Sequence, residues 1–372
     1  MCLIYQKGVK LKPSTTEEIE QFKRDWLNKT IQELTSVYGA KYSTMKGWAT
    51  EFRATRGPYN TIRINKEGPV PTLRETLSQE LGRLPKIKLP PLRSGPGDEE
   101  EAVLVIGDWH TGRLTISFNS QVLAERVQKL AEATQEITRL HRKAYPINKL
   151  HVFCLGDMVQ GEGVRFQPLE NFEFGYPSQV ATFSRLCSDF LGEMLGLFAE
   201  VHFWPVAGNH GRASVSHGTT SNWDTVAYDI MSSTLKNNPR FIYHPMPLVA
   251  EQDYQVARVG EWRFLLNHGS SIPIFQSTPW YGITTRALRW KQSIPEPWDS
   301  LILGHYHSIG DIVFNTIPIL MNGTAVSDDP FPRRALGMES ETKHWFFGVH
   351  PRQFMTWRYL INLRKGEMRG AE

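Results

Sequence analysis

Five short apolar runs in this chain each end in residues of the kind that bind metal ions, and that repetition constrains the fold more than any other feature of the sequence. Residues 103–106 lead through Gly107 into Asp108-Trp109-His110, and residues 150–155 lead into Gly156-Asp157. Residues 201–206 lead into Gly208-Asn209-His210, residues 263–266 into His268-Gly269, and residues 301–303 into Gly304-His305-Tyr306-His307. Runs of this length and composition read as buried strands. Between the first two, residues 120–143 bring Leu123, Val127, Leu130, Ile137 and His141 near one stripe of a helix. Strand, helix and strand in that order imply stacked α/β layers, and such folds bind their ligands at the carboxyl ends of the strands. Five endings of this kind can therefore converge on one site.

Taken singly, a His after a strand is commonly a packed or hydrogen-bonded residue, and an Asp after Gly is commonly a turn. As an ordered set the blocks resemble the calcineurin-like metallophosphoesterase superfamily, whose pattern is Asp-x-His, Gly-Asp, Gly-Asn-His, a lone His and Gly-His-x-His. Every element is present in order between residues 103 and 328. The resemblance implies an α/β fold, a four-layer α/β/β/α sandwich, and a hydrolase of phosphate esters that uses two divalent metal ions. Carried over residue by residue, it implies one metal on Asp108, His110, His307 and Asp157, and the other on Asn209, His268, His305 and Asp157.

The chemistry accounts for these residue types. In-line attack on a phosphate ester is served by two cations about 3.5–4 Å apart, and a carboxylate must bridge like charges held so close, the role that falls to Asp157. Mixed imidazole and carboxylate ligation suits Mn²⁺, the expected ion, with iron and Zn²⁺ as alternatives. His210 is implied as a catalytic group standing over the scissile phosphate rather than as a ligand. In many relatives the next residue is an acid that orients this His. Here it is Gly211, followed by Arg212, for which a contact to the phosphate is the expectation.

The first hundred residues lie outside the resemblance. Residues 1–66 carry 12 Lys and Arg against 6 Asp and Glu, while residues 102–372 carry 25 of each, so the surplus positive charge of the chain sits in the first segment. Such asymmetry points to a small module that meets a polyanion, although a solvated basic face has the same composition. Within residues 15–56, Ile19, Phe22 and Trp26 share a helical face, and Ile31, Leu34 and Tyr38 continue the spacing. Gly39 breaks the pattern, and Ser43 or Thr44 is placed to cap a following helix with Met45, Trp48 and Phe52. This is similar to a helix-turn-helix, with Thr35 where the motif usually has Ala. In that reading Lys41, Lys46, Arg53 and Arg56 face phosphates or base edges; a structural three-helix bundle gives the same periodicity. The expected organisation is a small all-α domain over 1–66, a Pro/Gly-rich linker over 67–101 with at most one helix near 73–84, and a catalytic domain over 102–372.

Substrate signals are weaker. Gly161-Glu162-Gly163 and the tail from Asn322-Gly323-Thr324 to Asp329-Pro330-Phe331-Pro332 look like phosphoesterases of bacteriophages and prophages that resemble repair exonucleases. A helix over 281–293 would align Arg286 and Arg289 beside Trp280 and Trp290, a set suited to single-stranded nucleic acid, although core packing of the Trp residues is the commoner use of such a pattern. The leading expectation is a nuclease acting on DNA. A phosphomonoesterase or protein phosphatase, and a DNA-binding or assembly protein with an inactive metal site, are the competing readings. No run of about 18 apolar residues and no apolar block at the lysine-rich start suggest membrane insertion or secretion. Cys2, Cys154 and Cys187 are odd in number and far apart, which fits a reducing compartment, the cytoplasm; the resemblance to phage phosphoesterases implies a bacterial or phage-infected cell.

Overall fold

The computed structural model describes residues 12–54, 98–162, 172–213, 221–247, 252–275, 279–329, 334, 337 and 339–364. The linker helix expected near 73–84 and Arg56 lie outside the described residues. The chain forms two compact units, Met1–Pro91 and Leu92–Glu372.

The first unit holds three helices, α1 (Thr16–Asn28), α2 (Ile31–Tyr38) and α3 (Tyr42–Glu51). Capping boxes start α1 and α2: the Thr15 and Thr30 side chains accept from the backbone N–H of Glu18 and Glu33, whose carboxylates reach back to the cap N–H groups. Gly39 ends α2 with φ 62°, a left-handed cap that a residue without Cβ adopts freely. Phe22, Trp26, Leu34, Tyr38, Ala40, Met45, Trp48 and Ala49 form the apolar knot between the helices. Neither Ser43 nor Thr44 caps α3. That helix starts earlier, behind Lys41, with no side-chain cap bond; the Lys41 carbonyl already accepts from the N–H groups of Thr44 and Met45 at 2.9 and 3.1 Å, so the helix has begun before either hydroxyl. Ile31, expected on the apolar face, is 41% exposed at the first position of its helix.

The second unit is built on two sheets. Strands β1 (Glu100–Ile106), β2 (Ile147–Cys154), β3 (Glu200–Pro205) and β4 (Phe241–Tyr243) run parallel, and β10 (Lys343–His350) and β11 (Phe354–Asn362) extend this sheet antiparallel on the β1 side. The other sheet has the order β5 (Tyr254–Val259), β6 (Trp262–Asn267), β7 (Ser300–Leu303), β9 (Ile317–Met321), β8 (Gly310–Phe314), with β6, β7 and β9 parallel. Helices α4 (Ser120–His141), α5 (Tyr176–Leu197) and α6 (Trp223–Leu235) cover the first sheet, and α7 (Trp280–Ser293) covers the second.

Strand alternation sorts the core into layers. Along β1, Ala102, Leu104 and Ile106 face Leu123 and Leu130 of α4 and Phe183 and Leu191 of α5, whereas Val103 and Val105 face the second sheet with Phe153, Phe264, Leu266 and Ile302. On the far side of the second sheet, Leu265, Leu301 and Leu303 pack on Ile283 and Ala287 of α7. Helices, sheet, sheet and helix thus make the expected α/β/β/α sandwich. Each fully buried aliphatic or Phe side chain contributes about 1.5–3 kcal/mol to holding these layers together. β1, β2 and β3 run parallel in one sheet and β6 and β7 in the other, and the loops at their carboxyl ends meet, His305 N–H donating to Asp108 Oδ2 at 3.0 Å. Among the described residues no helix is long and apolar enough to cross a membrane.

Candidate metal centre

The loops beyond β1, β2, β3, β6 and β7 are zipped together by backbone bonds. Asp108 N–H donates to the Gly156 carbonyl (3.0 Å), His110 N–H to the Asp157 carbonyl (3.0 Å), and Gly304 N–H to the His268 carbonyl (3.1 Å). Asp108, His110, Asp157, His305 and His307 all sit at φ between 45° and 72°. An L-residue in this left-handed region costs about 1–2 kcal/mol, so five such residues on one edge store strain that the surrounding packing must hold. Gly208 is required for the close approach: a Cβ there would lie 2.1 Å from Asp157 Oδ1.

The side chains fall into groups whose ligand atoms lie within 4.8 Å of one another: Asp108, His110 and His307; Asp157, His268 and His305; and His110, Asp157 and His210. In the first, His307 Nε2 is 3.3 Å from Asp108 Oδ1 and 3.0 Å from His110 Nε2. In the second, His268 Nε2 is 3.0 Å from Asp157 Oδ2 and 3.1 Å from Asn209 Oδ1. Asp157 belongs to two of the groups. His210 Nε2 stands 4.0 Å from Asp157 Oδ2, and its ring lies edge-on to that of His110 at 4.6 Å. The seven expected ligands and His210 are thus brought to one place.

This donor set fits divalent cations. Asp108 Oδ1 is a fully buried carboxylate oxygen with no hydrogen-bond partner among the described residues, a costly arrangement unless a cation faces it. Burial opposes the charge of Asp157, yet His268 and His210 hold its carboxyl well below the usual range. Burial likewise opposes protonation of His268, and Asp157 nevertheless pushes that imidazole up to about 9. Burial and the neighbouring imidazoles push His110 and His305 well down. Against its burial, Asp108 and Asp329 push His307 up further, to about 10. Since a ligating imidazole must be neutral, a cation held here would compete with protons at His268 and His307.

Family comparison agrees with this geometry. Residues 102–341 match the family of calcineurin-like phosphoesterases. The chain belongs to that family. Members hold divalent metal ions and hydrolyse phosphate esters. Among solved structures, the chain is similar to vacuolar protein sorting 29 from Cryptosporidium parvum (16% identity, 68% of this chain and 87% of that one, TM-score 0.35). It is also similar to wild-type Vps29 of Entamoeba histolytica complexed with Zn²⁺ (15% identity, 70% and 99%, TM-score 0.32) and to an archaeal phosphodiesterase (11% identity, 70% and 99%, TM-score 0.34). No curated protein matches the chain.

The departure after His210 has a steric cause. A Cβ at Gly211 would lie 2.2 Å from Asn222 Oδ1, so this phosphoesterase has no room for an acid there. His210 Nδ1 instead donates to the Gln160 carbonyl at 2.9 Å, which turns Nε2 toward the centre. Arg212 follows, half-buried, on a short bridge to Asn222. Sequence reasoning missed Asp224. From the first turn of α6, its buried carboxylate accepts from four backbone N–H groups, those of Asp157, Met158, Val159 and Gly208, at 2.9–3.1 Å. Burial and the charge of Asp157 push it up to about 6. Asn222 before a helix with an acid in its first turn was a legible start signal, but nothing local says that this carboxylate ties the loops after β2 and β3 together.

The nucleic-acid candidates are placed differently. Lys41, Lys46 and Arg53 are exposed around α3. Arg289 is exposed, whereas Arg286 is half-buried, donates to the Ser271 carbonyl at 3.1 Å and lies 5.7 Å over the Trp290 ring. Trp280 and Trp290 pack against the core under α7. The aromatics left open beside that helix are Phe275 and Tyr281, 57% and 66% exposed with ring centroids 5.6 Å apart.

Proposed function

We propose that this phosphoesterase is a two-metal phosphodiesterase that cuts nucleic acid, with DNA as its substrate. The observation that carries the metal half is the buried Asp157 carboxylate, which lies within 4.8 Å of the ligand atoms of His268 and His305 on one side and of His110 on the other. In this reading Asp108, His110 and His307 with Asp157 hold one ion, and Asn209, His268 and His305 with Asp157 hold the other, with Mn²⁺ as the ion. When bound, such a pair stabilises negative charge on phosphoryl oxygens and makes attacking water more acidic.

The chain's own residues supply the rest. The strained loops fix the donors before substrate arrives, so little reorganisation is left for the reaction. His210, with Nδ1 committed to the Gln160 carbonyl, presents Nε2 to the leaving oxygen and gives it a proton. In this reading Arg212, two residues on, contacts a phosphate oxygen. The buried free thiols Cys154 and Cys187 suit the reducing cytoplasm of a bacterial or phage-infected cell.

The DNA half is supported by the basic first segment, by exposed Lys41, Lys46 and Arg53, and by the open Phe275 and Tyr281 near Arg286 and Arg289. The test uses the full chain and its Lys41→Glu/Lys46→Glu/Arg53→Glu variant with Mn²⁺, on linear and nicked DNA and on a small aryl phosphodiester. Expected is weaker, less salt-dependent cleavage of DNA by the variant with an unchanged rate on the diester. Equal DNA cleavage with the same salt slope removes the first segment from substrate binding, and no cleavage of any DNA removes the nuclease reading.

A further inference from the structure

Three imidazoles at the centre are held from behind, and one is held in a different way. His268 Nδ1 meets the Leu155 carbonyl at 2.7 Å, and His210 Nδ1 meets the Gln160 carbonyl at 2.9 Å; both partners are neutral backbone groups. His307 Nδ1 lies 3.4 Å from a carboxylate oxygen, Asp329 Oδ2, a charge contact rather than an aligned hydrogen bond, while its Nε2 points into the centre toward Asp108 and His110. The other Asp329 oxygen is 3.4 Å from Arg113 Nη2, and both side chains are more than nine-tenths buried, at 8% and 6% exposed.

A buried ion pair is weak support for stability, because desolvation offsets most of the attraction. Here, however, the segment that carries Asp329 is anchored at many points. Thr324 Oγ1 donates to the Asp108 carbonyl (2.7 Å), Arg126 Nη2 to Ser327 Oγ (2.9 Å) and Thr115 Oγ1 to the Ser327 carbonyl (2.9 Å). Asp328, held by Ser117, adopts φ 53° just before Asp329. Arg113 grows from the loop of His110, whose carbonyl accepts its backbone N–H at 2.8 Å. The ion pair thus joins the loop of His110 to the segment whose Asp329 faces His307, behind the first ligand group.

We infer that Asp329, backed by Arg113, is a positioning residue for His307: it accepts the Nδ1 proton, fixes the tautomer that leaves Nε2 free to ligate, and so tunes the first metal site without tuning the second. The inference rests on the two-metal reading above. A carboxylate behind a ligating His raises its donor strength, and losing such a partner costs about 10–100-fold in metal affinity. The backbone carbonyl behind His268 gives no such charge, so the two sites differ by construction.

The test takes the full chain and its Asp329→Ala, Asp329→Asn and Arg113→Gln variants. Long-range proton–nitrogen NMR of histidine-labelled, metal-free protein reads the His307 tautomer, and stepwise Mn²⁺ calorimetry reads the two sites. Expected is a proton on His307 Nδ1 in the wild type that is lost in Asp329→Ala, with one binding step about 10–100-fold weaker and the other unchanged. Asp329→Asn keeps an acceptor oxygen and is expected to keep the tautomer with a smaller affinity loss, as is Arg113→Gln. Unchanged tautomer and affinities in Asp329→Ala overturn the inference. Equal weakening of both steps together with a lowered melting temperature assigns Asp329 to the fold alone. An unchanged tautomer with equal losses in the Ala and Asn variants makes Asp329 a ligand instead. If wild-type protein binds no Mn²⁺, the two-metal reading falls, and the tautomer comparison still decides the positioning claim.

Discussion

The two units of this chain spend their polar residues in opposite ways. In the helical unit, Thr15, Glu18, Thr30 and Glu33 serve helix starts three residues away, and the interior is an apolar and aromatic knot. In the phosphoesterase unit, Asp108, His110, Asp157, His268 and His307 are buried, several on left-handed backbone, and partners such as His110 and His307 meet across 197 residues of chain. The first arrangement stabilises the helices that carry it. The second costs stability and is tolerated because two sheets and four helices hold it in place, as is usual where strain serves a site. Substitutions should therefore separate cleanly: site changes should remove chemistry and leave the fold, and changes in the knot should remove a fold and leave the chemistry.

The largest separation is expected at Asp157. Asp157→Asn keeps the shape and removes the charge that two cations would share, so metal content measured on purified protein should fall below one ion per chain and diester hydrolysis should drop to background. Retained stoichiometric metal with full turnover would take away the shared carboxylate. Next comes His210→Gln, which should keep the metal and lower kcat by about 10²–10⁴-fold with little change in KM. A wild-type rate in that variant ends the proton-donor role.

The same contrast explains what could be read in advance. The five strand ends were legible because each block is local, and their order along the chain carried the family; the α/β/β/α layering followed from the apolar runs and from that resemblance. The break at Gly39 and the stripe of Phe22, Trp26, Leu34 and Tyr38 were legible for the same local reason. Asp224 and the Asp329–Arg113 pair were not, since an acid at a helix start or in a tail looks alike whether it faces water or a ligand loop 67 residues earlier. The partner of His210 was hidden too. It is a backbone carbonyl, and no side chain announces it.

Phe22→Ala tests the separation from the other side. Phe22 is fully buried and meets Trp26, Tyr38, Trp48 and Phe52 at ring centroids of 5.1–6.0 Å. Losing it should cost about 3–5 kcal/mol, comparable with the whole stability of a unit this small. Circular dichroism should then show loss of helix while metal content and hydrolysis of a small diester stay at wild-type levels. A parallel loss of metal would join the two regions into one cooperative body.

The smallest expected difference is in acid sensitivity, and it too divides the units. All 12 histidines lie beyond residue 109, so residues 1–91 have none to titrate. Under the first sheet, His151, His202, His244 and Trp204 form a stack, with His202 and His244 5.3 Å apart and His244 3.5 Å from Trp204. Burial and then the neighbouring imidazoles push His202 and His244 down to about 4, even though Glu101 and Glu200 face the stack and pull the other way. An unfolded His takes its proton near pH 6.5. Between about 6.5 and 4 the unfolded chain therefore binds more protons than the folded one, so the stabilisation is complete above pH 6.5 and is lost as pH falls toward 4. Partial exposure screens these groups, which brings the effect to the order of 1 kcal/mol, or about 2–4 °C of melting temperature for a unit of this size. Thermal melts from pH 7 to pH 5 should lower the phosphoesterase transition more than the helical one, and His202→Gln with His244→Gln should flatten that slope. An identical slope in the double variant would place the acid sensitivity elsewhere, with fully buried His344, pushed down to about 3 by burial, as the next group to replace.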